Sequence, residues 1–362
     1  MDFTFSQDQH DMRASVRTVL VDAVAAGTVR AAVDGDVAAQ QQIWARIVEL
    51  GWHTLLLPGD ADGLGLGLVD AVVVLEEMGR CALPGPFLSS AVVATSALSE
   101  LGEVDLASAL ASGERRATVA LEESGGGDPV RRVRSSATRS GSGWALSGSK
   151  PIVLDPGADH VIVAAQTREG LASFLVEGPI GDPVPTLDPS RQAGSLSLDG
   201  RRASRIGPPG DHSELWSRVV DIAAVALSAE LVGVCDAALT MAIAYANQRV
   251  QFDVAISSHQ VIQHKFVDML HQLELGRVGV HRAAWAADVR DPSLPESAAI
   301  AKSAMGGAAV YVTGENIQIH GAAGFTWDSD AHLLFKRAKQ NDILYGSRDW
   351  QDQRVANLVL QS

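Results

Sequence analysis

The distribution of proline divides this chain into three parts. Nine of its 14 prolines lie between Pro129 and Pro209, none precedes Pro58 and none follows Pro295. Proline lacks a backbone N–H and disrupts helix interiors, so long proline-free stretches favour helices. The proline-rich middle favours strands and turns instead. We therefore predict a multidomain α+β chain whose order is helical, then β, then helical.

The length fits this division, because 362 residues predict two or three domains of about 100–200 residues each. We place an N-terminal α-helical domain at 1–115, a middle β-domain at 116–210 and a C-terminal α-helical domain at 211–362. A capping-box pattern at Ser6–Gln9 predicts the start of the first helix. Short apolar runs such as His160–Ala164, separated by turn residues, predict strands in the middle.

The C-terminal part has the most regular helical pattern. Apolar residues at helical spacing predict one helix over Val261–Arg290, and Ala-rich sequence predicts another over Glu296–Gln318. A last helix is predicted over Trp350–Leu360. The longest apolar run, Val219–Val234, contains two acidic residues and is too short to span a bilayer, so we expect no membrane contact.

Charge and cysteine content exclude several classes of function. The chain has 43 acidic and 29 basic side chains, a formal net charge of −14, which disfavours binding to nucleic acid or to anionic membranes. Cys81 and Cys235 are too few for a disulfide framework, and no Cys/His spacing matches a metal site. The first residues lack the basic and apolar stretches of a signal peptide, so we expect a cytoplasmic protein.

Two C-terminal segments carry residues suited to an anionic, flat-ringed ligand. The first has Arg249, Phe252 and Gln260, and the second has Gln318 and Gly321. Arginine offers forked donors to phosphate, glutamine can read the edge of a ring, and glycine lets the backbone approach a ligand closely. Each piece alone also fits a surface arginine beside a core aromatic residue.

In this order and spacing, the two segments resemble those of the acyl-CoA dehydrogenase family, and the resemblance covers nearly the whole chain. Further matching stretches are Leu50–Trp52, Gly63–Gly65, Leu75–Arg80 and Leu146–Lys150. The resemblance implies an N-terminal helical domain, a middle β-barrel-like domain and a C-terminal four-helix bundle. This order agrees with the division that the prolines predict.

The family's chemistry is also implied. Its members remove a proton next to a thioester carbonyl with a carboxylate base, while the neighbouring carbon gives a hydride to FAD. An acyl-CoA substrate and an electron-transfer flavoprotein as electron acceptor follow from the resemblance. By the same resemblance, Arg249, Phe252, Gln260, Gln318 and Gly321 reach the adenine–pyrophosphate half of an FAD that is bound mainly to a neighbouring subunit.

The residues that would serve this chain's own flavin and its own proton abstraction depart from the family pattern. The catalytic Glu usually precedes a Gly-Thr/Ser pair, but Tyr345 precedes Gly346-Ser347 here. At the family's other position for this Glu stands Ala223, followed by Ala224 where an Arg often meets CoA. Three further departures lie elsewhere: Ile152–Leu154 replaces a Trp-Ile-Thr/Ser triplet, Leu121–Gly127 replaces a Thr-Glu-Pro-Gly loop, and Asp253 replaces a Gly.

This division between preserved and lost features favours a partner subunit without a catalytic residue. It would complete the FAD site of a sister chain that carries the Glu, as in the α2β2 heterotetramers of actinobacterial sterol side-chain catabolism. The acyl group would then be bulky and steroid-like.

Two other hypotheses remain open. The chain could be a self-sufficient flavoenzyme with a relocated base, for which Asp349 is the best-placed carboxylate and Asp342, Tyr345 and Asp221 are further candidates. Alternatively, the chain could be a non-catalytic protein that binds acyl-CoA or another protein and retains no FAD.

Overall fold

The computed structural model describes residues 5–181 and 183–361. The N-terminal part is helical, and the predicted capping box is confirmed: the Ser6 hydroxyl accepts the N–H of Gln9 at 3.3 Å, and the Ser6 N–H donates to the Gln9 side chain at 3.0 Å. The helices are α1 Gln7–Ala25, α2 Thr28–Val33, α3 Val37–Glu49, α4 Leu68–Arg80, α5 Thr95–Leu101 and α6 Val104–Ala111, and a π-helical segment, Phe87–Ala94, leads into α5.

The middle of the chain forms two sheets. The strands are β1 Ala117–Ala120, β2 Ser136–Ser140, β3 Gly143–Ser147, β4 Ser149–Leu154, β5 His160–Thr167, β6 Gly170–Glu177, β7 Pro183–Val184, β8 Ala193–Ser197 and β9 Arg201–Ile206. In the larger sheet β5 pairs with β2, β2 with β3, β3 with β9, β9 with β6, and β6 again with β5. This ring confirms the expected barrel-like β-domain. The smaller sheet has the order β4-β8-β7.

The C-terminal part is a helical bundle entered through a short hairpin. Its elements are α7 Ser213–Gln248, β10 Val250–Gln251, β11 Val254–Ala255, α8 Gln260–Asp288, α9 Leu294–His320, α10 Ala331–Ile343 and α11 Arg348–Gln361. Helices α7 to α10 pack together as the expected four-helix bundle, and α11 packs against α9. The sequence did not predict α10 as a separate helix. The domain limits given above stay our proposal.

Helix α7 is the central core helix of the molecule. Within the described part of the chain, it alone has the length and composition of a membrane-spanning helix, with a mean hydropathy of 1.9 over its most apolar stretch. However, 89% of that stretch is buried inside the protein. The apolar surface of α7 is therefore covered by the other helices.

Helices α4 and α7 cross at very short range because glycine stands at both contact points. A Cβ added at Gly79 would overlap the backbone carbonyl of Glu230, and one added at Gly233 would overlap that of Glu76. Glycine at these two sites permits contact between the two backbones.

A fully buried arginine links all three parts of the chain. Arg337 on α10 forms ion pairs with Asp188, between β7 and β8, and with Glu230 on α7. It also donates to the carbonyls of Ala82, at 3.1 Å, and Leu83, at 3.2 Å, just after α4. Burial works against the charged form, but the two carboxylates raise the pKa of Arg337, so it stays charged.

Candidate functional site

Arg249 directly follows α7 in an extended conformation. Its carbonyl accepts the N–H of Ile256 at 2.8 Å, which closes the base of the hairpin formed by β10 and β11. The Arg249 side chain is exposed and has no ion-pair or hydrogen-bond partner among the described residues. Its guanidinium group is therefore available to an anion from outside this chain.

Phe252 and Asp253 form the tip of this hairpin, with φ values of 56° and 64°. Two left-handed residues at the centre of a two-residue hairpin are typical of a type I′ turn, in which glycine is favoured. Aspartate tolerates this conformation better than most residues, which explains how Asp253 can replace the expected glycine. The Phe252 ring is 89% exposed, so this chain does not cover its apolar surface.

The other three predicted cofactor-binding residues also lie at helix ends. Gln260 is the exposed first residue of α8, and Gln318 is exposed in the last turn of α9. Gly321 ends α9 with φ 61° and ψ −138°, a conformation that essentially only glycine adopts. A Cβ at Gly321 would meet no atom of the described residues within 4 Å, so the surface beside it is open.

Two contacts join the ends of α7 and α9 and bring the two segments together. The rings of Tyr245 and His320 stack with centroids 4.3 Å apart, and the Asn316 side-chain amide donates to the Met241 sulfur at 3.5 Å. All five predicted cofactor-binding residues are exposed at this end of the bundle. They therefore face away from the core of this chain.

The two positions at which the resemblance places a catalytic carboxylate are buried and uncharged. Tyr345, in the turn between α10 and α11, is 4% exposed. Burial raises the pKa of its phenol well above the usual value, so the hydroxyl stays protonated and cannot act as a base. Ala223 is fully buried in α7.

A carboxyl group that we did not predict lies beside Tyr345. Glu122 follows β1, and its Oε1 accepts the N–H of Gly346 at 3.4 Å. Burial raises the pKa of Glu122, against the effect of the backbone N–H groups of Tyr345 and Gly346 and the charge of Lys302. The acidic group at this turn thus comes from the β-domain. The sequence offered one indication of it: Glu122 lies in the loop that departs from the family pattern.

Lys302 adds a buried cation to the same region. It is fully buried on α9, and its Nζ donates to the backbone carbonyl of Asn341. Burial lowers the pKa of Lys302 from 10.5 to about 8, although the charges of Asp342 and Glu122 act in the opposite direction. Among the described residues, Asp342 Oδ1 is buried without a hydrogen-bond partner. The region around the turn is therefore a buried acid–base cluster.

The other candidate carboxylates have ordinary structural environments. Asp349 is exposed in the first turn of α11, where a negative charge favours the helix start. Asp221 is buried on α7 and forms an ion pair with Arg354 at 2.8 Å. Burial raises the pKa of Asp221, against the opposing charge of Arg354.

The positions expected to flank a flavin ring are occupied by apolar side chains or by internal contacts. Ile152–Leu154 is the end of β4. Glu123 accepts the N–H groups of Arg134, at 2.8 Å, and Ser135, at 3.0 Å, and the Lys150 ammonium group at 2.8 Å. Burial alone would raise the pKa of Glu123, but the Lys150 and Ser135 contacts keep it below its ordinary value. Glu123 is therefore a structural link between the loop after β1 and β4.

Comparison with known proteins gives two family matches. The model of the acyl-CoA dehydrogenase N-terminal domain matches residues 6–110, and the model of the acyl-CoA dehydrogenase C-terminal domain matches residues 216–360. The chain is 30% identical to acyl-CoA dehydrogenase FadE27 of Mycobacterium tuberculosis over the full length of both proteins.

Solved structures share the whole fold. A variant of the Tcur3481-Tcur3483 steroid ACAD superposes with a TM-score of 0.89 at 30% identity, covering 98% of each chain. A chain of the ChsE4-ChsE5 complex from Mycobacterium tuberculosis superposes with a TM-score of 0.89 at 27% identity, covering all of both chains. The likeness therefore extends over all three parts of the molecule.

Proposed function

The chain belongs to the acyl-CoA dehydrogenase family, and on this premise we propose that it is a partner subunit that completes the FAD site of a sister chain. The sister chain would carry the catalytic Glu, and the two would form a heterotetramer that acts on an acyl-CoA. One observation carries this proposal. The five predicted cofactor-binding residues face outward, whereas Tyr345 and Ala223 leave both positions of the base without a carboxylate.

The outward-facing residues fit the adenine–pyrophosphate half of FAD. Arg249 offers a guanidinium group with no partner among the described residues. The exposed start of α8 at Gln260 offers backbone N–H groups and the positive end of a helix dipole. Phe252 offers an exposed ring for a flat group, and Gly321 leaves room for a close approach. When bound, the flavin accepts the hydride; this chain contributes binding and orientation.

A face of α8 supports the idea that another chain covers this side of the bundle. Val267, Leu270, Leu275 and Val278 are between 48% and 65% exposed. Large contiguous apolar patches on a protein surface mark interaction sites. We infer that the sister chain packs on this face, next to the hairpin that carries Phe252.

The substrate and the other partners are proposed from the relatives. One similar structure is a steroid ACAD and another is the ChsE4-ChsE5 complex. We therefore propose a bulky acyl-CoA such as a sterol side-chain thioester as the substrate. An electron-transfer flavoprotein would be the electron acceptor and the cytoplasm the site of action.

Co-expression tests the proposal. The chain should be produced alone and together with a family member that carries Glu at the position of Ala223 or Tyr345. We expect flavin and activity only in the heteromer.

Arg249→Ala should weaken FAD binding to the heteromer by about tenfold or more, because one charge-assisted contact is lost. Arg131→Ala, at an arginine that is 89% exposed in the β-domain, is the matched control and should have no effect. A yellow, active homo-oligomer of this chain alone would overturn the proposal.

A second candidate function rests on Glu122. Its carboxyl group reaches the turn at Tyr345 and Gly346, so it could act as a relocated base in a self-sufficient enzyme. In that case the chain alone would turn over an acyl-CoA, Glu122→Gln would abolish turnover, and Asp349→Asn would leave it unchanged. If neither the chain nor its complexes retain FAD in equilibrium dialysis, both functions are excluded and a non-catalytic binding role remains.

A further inference from the structure

A groove of about 850 Å³ separates the first two helices from the bundle. Its lining is mainly apolar and includes Leu20, Val21, Val24, Val33, Leu333 and Leu334. Val21 and Val24 on α1 are 58% and 44% exposed, so apolar surface faces solvent here. The volume lies within the range of about 300–1,000 Å³ that is typical of small-molecule sites. None of the five proposed FAD-binding residues lines this groove.

One wall of the groove is formed by the Trp327 ring, which makes cation–π contacts with two basic side chains. The Arg30 guanidinium lies 5.0 Å from the centroid of the Trp327 ring, and Lys336 Nζ lies 5.0 Å from the same ring. Arg30 also donates to Asp330 at 2.9 Å and to the backbone carbonyl of Trp327. These contacts fix α2 against the loop before α10, so the wall is preformed.

The charges around the groove disfavour an ionic ligand. Its three arginines, Arg17, Arg30 and Arg80, are each already in an ion pair, with Glu77, Asp330 and Asp236 respectively. Burial raises the pKa of Cys81, which also lines the groove, to about 12, so this thiol stays neutral. An anion would have to break an existing ion pair, and the exposed carboxylate of Asp328 would repel it.

We propose that this groove binds an uncharged, bulky apolar small molecule of the size of a sterol ring system. A single extended acyl chain would leave much of the space unfilled and would lose contacts with one wall. A rigid polycyclic ligand can contact α1, the Trp327 ring and α10 at once. The site is separate from the proposed FAD contacts and requires neither FAD nor turnover.

Equilibrium dialysis with radiolabelled progesterone, an uncharged steroid, tests the proposal. We expect saturable binding of one molecule per chain, and at least tenfold weaker binding of cholate, a steroid anion. Val24→Glu places a charge in the apolar wall and should weaken progesterone binding at least tenfold. Val104→Glu makes the same change at a valine that is 39% exposed on α6, outside the groove, and should not alter binding.

Circular dichroism checks that each variant is folded, and Val21→Glu serves as a second test if Val24→Glu is not. The proposal is overturned if progesterone binding is not saturable, or if a folded groove variant binds as well as the unchanged chain. It is also overturned if the isolated chain binds progesterone and the heteromer does not, because the groove would then be a contact surface for the sister chain.

Discussion

Lys302 shows how strongly one buried side chain can respond to pH. In the folded chain its pKa is about 8, below its ordinary value of 10.5, because burial disfavours the charged form. Between these two values the unfolded chain holds the proton and the folded chain has released it. The free energy of unfolding should therefore rise with pH from about 8 to 10.5, by up to about 1.4 kcal/mol per pH unit.

Lys302→Met removes this titration while keeping a long apolar side chain. We expect the free energy of unfolding to rise less between pH 8 and 10 in the variant, because Lys302 no longer titrates. Some pH dependence remains, because other groups titrate in both proteins. Urea unfolding of both proteins across this pH range measures the difference. Equal slopes would show that Lys302 keeps its proton in the folded state.

At the scale of residues, sequence motifs can group only side chains that lie close together along the chain. Arg249, Phe252 and Gln260 are close in sequence, so a motif could identify them as a proposed site. Glu122 and Gly346 are 224 residues apart, and only the packing of the loop after β1 against the α10–α11 turn brings them together. No local pattern could have indicated this contact.

At the scale of elements, the close crossing of α4 and α7 predicts how a substitution at Gly233 changes stability. Alanine is favoured over glycine in a helix by about 1 kcal/mol. At Gly233, however, a methyl group would overlap the backbone of α4 at Glu76. We expect Gly233→Ala to destabilise the chain by about 1–3 kcal/mol, since forcing extra volume into a packed core costs this much.

Gly279→Ala is the matched control on α8. The added Cβ would lie 3.7 Å from the Ala301 Cα, an ordinary contact. This variant should be stabilised by up to about 1 kcal/mol. Thermal or urea unfolding of the two variants measures the signs, and the explanation fails if both substitutions shift stability in the same direction.

Helix boundaries were predictable where prolines or apolar periodicity mark them. The predicted helices over Val261–Arg290 and Glu296–Gln318 are found at Gln260–Asp288 and Leu294–His320. The π-helical segment Phe87–Ala94 was not predicted, because all eight of its residues are buried. A helix without a polar face gives no periodic signal, so only its tertiary environment defines it.

At the scale of the whole molecule, Arg337 should determine whether the three parts hold together. Arg337→Met would leave Asp188 buried without its ion-pair partner, whereas Glu230 would keep Arg191, and the loss should cost about 3–5 kcal/mol. Arg46→Ala removes an exposed ion pair with Glu49 and should change stability by at most about 1 kcal/mol. Urea unfolding measures the free energy of unfolding of both variants. Similar decreases in the two would contradict the role of Arg337.

The exposed face of α8 gives a prediction about assembly. Leu275 is 60% exposed, so Leu275→Asp should change the stability of the isolated chain by no more than about 0.5 kcal/mol. In the heteromer it would place an unpaired charge in the apolar contact and prevent association. Native mass spectrometry reports the assembly. Leu64→Asp, at a leucine that is 57% exposed in the N-terminal part, is the control and should assemble normally.

The position of Arg337 also has a consequence for synthesis on the ribosome. Asp188 precedes Arg337 by 149 residues, so its carboxylate is made long before its cation. At about 5–20 residues per second, that interval lasts roughly 7–30 seconds. During this time the finished β-domain lacks the cation that neutralises Asp188. The ion pairs between α10 and the rest of the molecule can therefore form only near the end of translation. A product truncated before α10 would leave Asp188 without this cation, whereas Glu230 would keep its ion pair with Arg191.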